Sequence, residues 1–178
     1  MVLYDQGLQK FYNSPDIQNI IKTNRPLVFD KTKDMELTNN LTSVISDGEV
    51  FTQRNENLGD IRVKLGNPKN NGISHIIKRR MDKLIQHEGK SYDEAVKETS
   101  AILFLAVKNI SEAPATKETN GRYAVYKNGI KTAIDSDKYG RFVVTGFDIE
   151  DTKQEATDSI KSVNALYGYT PKFLEIYA

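Results

Sequence analysis

The stretch Arg122–Ile149, RYAVYKNGIKTAIDSDKYGRFVVTGFDI, decides how the rest of the chain is read. RYAVYK, IKTAID and RFVVTGFDI each alternate apolar with polar residues or run apolar, which is strand patterning. Asn128-Gly129 separates the first two, and Asn-Gly between strand patterns is the strongest short hairpin signal, because both positions tolerate positive φ. SDKYG separates the second from the third. The spacing predicts an antiparallel meander of three strands. DSDKYG begins like a calcium loop, but Tyr139 replaces the next ligand and Gly146 stands where the closing glutamate belongs, so it reads as a hairpin turn.

Working back from the meander, the period changes from two to 3.6. SYDE places Ser91 and Glu94 at capping-box spacing, and the helix they open runs through AVKETSAILFLAVKN, the most apolar part of the chain. Before it, Ile73, Ile77, Met81 and Leu84 recur at helical spacing over about 73–86, and Gly89 lies where a left-handed stop is wanted. DIRVKLG alternates as a strand, and GNPKNNG breaks regular structure after it. Residues 31–58 read as polar and irregular, with DGEVFTQ as a hairpin arm. Ser14-Pro15 predicts a short helix start, RPLVFD a strand, and the tail from Thr152 a polar helix followed by a short strand. Helices that precede a run of strands predict an α+β fold, with N-terminal helices packed on an antiparallel β-sheet. Residues 1–57 are expected to be a helical or irregular cap or docking region, and residues 58–178 the main domain.

Net charge is +1, so any nucleic-acid site must be local rather than a property of the whole surface. The absence of cysteine excludes disulfides, thiol nucleophiles and thiolate zinc sites. No apolar run approaches a membrane span and the first residues do not read as a signal peptide, which predicts a soluble, cytoplasmic protein with no membrane partner. No metal or cofactor motif stands out.

The densest chemistry lies in GISHIIKRR. One of only two histidines, His75, sits in the first turn of a helix and is followed by Lys78, Arg79 and Arg80. At about 100° per residue, His75 and Arg79 fall opposite the apolar face, whereas Arg80 falls inside it. A guanidinium there must find an anion or reach a cleft. A helix N-terminus, three cations and a proton-transfer group suit a phosphodiester, and RNA supplies its own nucleophile in the 2′-hydroxyl. The competing reading of each residue is structural: a helix-start histidine bonded to its loop and a solvated basic face. His87, near the helix C-terminus, reads as a residue placed there by the helix dipole.

LGDIRVKLGNPKNNGISHIIKRR, followed after two helices by NGRYAVYKNGIKTAIDSDKYGRFVVTGFDI, resembles the phage-type nuclease domains of the barnase–EndoU–colicin–RelE (BECR) superfamily. The resemblance covers about residues 58–150. It rests on Gly72, His75, Ile76 and Ile77 at a helix start, and on Phe142, Val143, Thr145, Gly146 and Phe147 in a last strand. It implies a metal-independent endoribonuclease, a phage or mobile-element toxin, acting without cofactor on RNA. By it, His75 transfers the proton, Thr145 bonds the phosphate, and Lys131 and Arg80 complete the catalytic set. Lys78, Arg79, Arg122, Tyr123, Tyr126 and Arg141 would contact RNA. An immunity protein, or a phage or delivery protein, is the partner it implies, with carriage in a virion or delivery into a host cell. Arg80 departs from the pattern, because the resembled family tends to place a second histidine there and an arginine does not shuttle protons. The resemblance then leaves slower cleavage, reliance on Tyr126 or Tyr123, or a catalytically degenerate fold that binds RNA or serves as a virion structural protein.

Overall fold

The computed structural model describes residues 31–64, 66, 73–149 and 157–160. The expected helix after Ser14, the RPLVFD strand and the strand at the chain's end lie outside these residues, as does most of the GNPKNNG loop. Among these residues the helices α1 (Lys31–Asp47), α2 (Ile73–Asp82) and α3 (Tyr92–Ile110) accompany six strands, and residues 157–160 are helical too. The strands are β1 (Phe51–Asn55), β2 (Gly59–Val63), β3 (Ala115–Lys117), β4 (Tyr123–Lys127), β5 (Ile130–Ser136) and β6 (Phe142–Ile149). They form one sheet in the order β1-β2-β6-β5-β4-β3. The fold is α+β.

The β4–β5–β6 meander forms as its sequence predicts. Asn128 and Gly129 adopt φ of 56° and 75°, the left-handed pair a tight hairpin requires. The Asn128 amide donates to Asn109 Oδ1 and the Asn109 amide to the Lys127 carbonyl, pinning this turn to α3. DSDKYG closes as a turn on Asp137, whose backbone bonds both Gly140 and Arg141. Ser91 accepts from the Glu94 N–H at 3.2 Å, so the capping box opens α3. Ile102 to Val107 of α3 are buried on every side. A helix apolar all round must be enclosed, and α3 touches β1, β4, β5 and β6 as well as α1 and α2. Strand side chains reach carbonyls in the last turn of α3: the Asn55 amide donates to Ile110 O and Gln53 to Val107 O, and the Asn55 amide also donates to Ala113 O in the loop beyond.

One expectation is corrected. Residues 31–47 are not irregular but form α1. Leu37, Leu41 and Val44 are buried at helical spacing, yet Asp34 and Thr38 share that face and are buried too. These polar positions interrupt the apolar stripe, so the segment reads as loop. Lys108 of α3 reaches Asp34 at 2.8 Å and Glu112 at 3.2 Å, which is what allows a carboxylate inside. The sheet is antiparallel except at one junction, where β2 joins β6 in parallel through Ile61↔Phe142 and Arg62↔Val143. Ala115–Lys117 is an edge strand on β4. The boundary expected after residue 57 falls in the β1–β2 turn, and Phe51–Asn55 pairs with Gly59–Val63 along its whole length.

Candidate phosphate-binding cleft

β2 covers only the first two residues of β6 before the chain leaves for α2. The Ile73 N–H donates to the Lys64 carbonyl, so α2 starts directly over the end of β2. Ile73, Ile76, Ile77 and Met81 are its buried apolar residues. The uncovered half of β6 and the neighbouring side of α2 enclose a cleft of about 480 Å³. His75, Ile76, Arg79, Arg80, Lys83 and His87 line one wall, and Thr145 to Asp148 the other.

His75 is half-buried in the first turn of α2 and Arg79 is exposed one turn on. Thr145 sits at a β-bulge: Ala133 faces Gly146 and Ile134 faces Val144, so Thr145 is the extra residue. A bulge bends the strand and re-aims a side chain, a device frequent beside functional sites. Arg80 is 8% exposed, and its guanidinium donates to Asp148 Oδ1 at 2.6 Å. The misplaced cation of the apolar face has therefore found its anion. Partial burial pushes the Asp148 carboxyl up, but the Ile149 N–H, the Arg80 hydrogen bond and the charges of Arg80 and Lys83 outweigh it and hold the carboxyl below its ordinary range.

That shift has a testable sign. A carboxyl whose pKa is lower folded than unfolded stabilises the fold above its unfolded pKa, about 4, and the contribution is lost as pH falls through the folded value. Asp148→Asn is expected to be less stable than the parent at neutral pH, with the two unfolding curves converging in acid. A gap unchanged down to the acid limit would show that Arg80 does not depend on the carboxylate charge.

The other residues singled out by the sequence lie elsewhere. Lys78 is exposed on α2 outside the cleft lining. Lys131 pairs with Glu118 at 3.1 Å and lies over the Tyr126 ring, while Tyr126 donates its hydroxyl to the same carboxylate. Glu118 thereby raises both pKa values, keeping the phenol and the ammonium protonated. Tyr123 packs edge-on against Phe142. Arg122 is tied to Asp135, and Arg141 to Asp137 with its guanidinium on Tyr139. These cations are already matched by carboxylates, and neither tyrosine borders the cleft.

Sequence reasoning missed Lys83, His87 and Asp148. His75, Arg79, Lys83 and His87 recur every four residues, a signal that was present. No ion pair holds Arg79, Lys83 or His87 among the described residues. Among those residues, too, no helix is long and apolar enough to cross a membrane. Comparison of the chain with known protein families, with curated proteins and with solved structures finds no match.

Proposed function

We propose that the α2–β6 cleft binds the phosphodiester backbone of RNA and that His75 is the acid/base residue of a metal-independent endoribonuclease. The observation that carries this reading is the meeting of His75, Arg79, Lys83 and Thr145 in one cleft. In the reaction His75 accepts the proton of the 2′-hydroxyl, O2′ attacks phosphorus, and the bond from phosphorus to the 5′-oxygen breaks. The leaving 5′-oxygen takes a proton from water, which the His75 imidazolium replaces, and a 2′,3′-cyclic phosphate remains. Arg79 and the Thr145 hydroxyl stabilise the charge gathered on the phosphorane oxygens. The BECR resemblance is part of this proposal, and so are an immunity or delivery protein and a cytoplasmic site of action.

A second reading is favoured by one observation. Arg80, where the resembled family tends to carry another histidine, is committed to Asp148. This supports a degenerate nuclease fold that binds RNA without cutting it or serves as a virion structural protein. End-labelled RNA incubated with the protein in EDTA separates the two. Products ending in 2′,3′-cyclic phosphate are expected; intact RNA bound in a salt-sensitive manner would replace the first reading with the second.

A further inference from the structure

α2 does not end as an ordinary helix. Lys83–His87 forms a π-turn, in which the Glu88 N–H donates to the Lys83 carbonyl five residues back. Such a turn accommodates one extra residue. Twelve residues of straight helix would rotate His87 by roughly 120° from His75, onto the line of Ile76 and Arg80. With one residue absorbed, the offset falls to roughly 20°, onto the line of His75 and Arg79. The π-turn therefore continues the row His75, Arg79, Lys83, His87 along the mouth of the cleft. The row is about 18 Å long at 1.5 Å per residue. That is several times the axial step of about 3.4 Å per phosphate in one strand of a duplex. One phosphate cannot touch both histidines.

We propose that His87 and Lys83 form a second phosphate subsite, so that the cleft takes an extended single strand several nucleotides long rather than a mono- or dinucleotide. The inference rests on the reading of the cleft as an RNA site. Both side chains are exposed, and Asp148, the carboxylate that lines the same cleft, is held by Arg80. An open cationic groove that tracks a backbone is how single strands are held without base readout.

The test uses 2′-O-methyl oligouridylates, which lack the nucleophile and stay intact, and the full-length protein. A dodecanucleotide is expected to bind roughly tenfold more tightly than a trinucleotide. His87→Gln should remove most of that gain while leaving trinucleotide binding near the parent value, and Lys83→Gln should weaken dodecanucleotide binding and lower its salt slope by about 1. No gain with length, or a gain untouched by either substitution, overturns the second subsite and leaves the RNA reading standing. Failure of both oligonucleotides to bind the parent overturns both.

Discussion

Replacing His75 with alanine is expected to slow RNA cleavage by about 10² to 10⁴-fold, the range a positioned proton-transfer group contributes. The size of the effect follows from the composition of the cleft. His75 stands in the first turn of α2 and lines the cleft with the bulged Thr145, whereas His87 lies at the far end of the row. A guanidinium such as that of Arg79 donates hydrogen bonds but does not shuttle a proton. The loss should appear in the rate of the chemical step, with oligonucleotide affinity changed far less. Lys78→Ala removes a charge from the same helix outside the cleft and should leave the rate within a few-fold of the parent, as an exposed cation contributes little. Thermal unfolding of each variant confirms that it is folded. Cleavage by His75→Ala at the parent rate would remove His75 from the mechanism, whatever the RNA affinity.

The second large effect concerns the buried cluster of α1 and α3. The side chains of Asp34 and Lys108 are 2% and 6% exposed. Asp34→Ala would leave the ammonium with Glu112 alone, in an interior that cannot hydrate it. Breaking a buried pair in this way is expected to cost about 3 kcal/mol. For a domain of this size that corresponds to a fall in Tm of roughly 6–12 °C. Asp34→Leu combined with Lys108→Met should recover most of the loss, since an apolar pair of similar volume needs no desolvation offset. A loss below about 1 kcal/mol in Asp34→Ala, the scale of exposed pairs, would show that Glu112 suffices.

Local chemistry was legible in the sequence. Asn128-Gly129, the Ser91 capping box, the Asp137 turn and the apolar periodicity of α2 each depend on residues close together in the chain. Arg80 was legible as an anomaly: its place in the apolar arc demanded an anion, although nothing local identified Asp148. What stayed hidden depends on distant partners or on a broken rule. α1 was hidden because Asp34 occupies a core position, and the Lys108 that makes it tolerable there is remote in sequence. The parallel β2–β6 junction has no local signature. His87 reads as a helix-end charge because nothing local in the sequence marks the π-turn over Lys83–His87. Lys131, Arg122 and Arg141 looked like free cations because Glu118, Asp135 and Asp137 match them through folding.

The short junction between β2 and β6 ties the cleft to the folding reaction itself. Ile61 and Phe142 must be brought together across the intervening chain, and closing so long a loop is entropically costly until other contacts compensate. The hairpins and α3 mature through nearer contacts, so this seam is expected to close late. One wall of the cleft follows β2 and the other belongs to β6. Opening the seam would therefore dismantle the cleft while the meander persists, and amide exchange at Ile61 and Arg62 should report the fraction of molecules that have lost it.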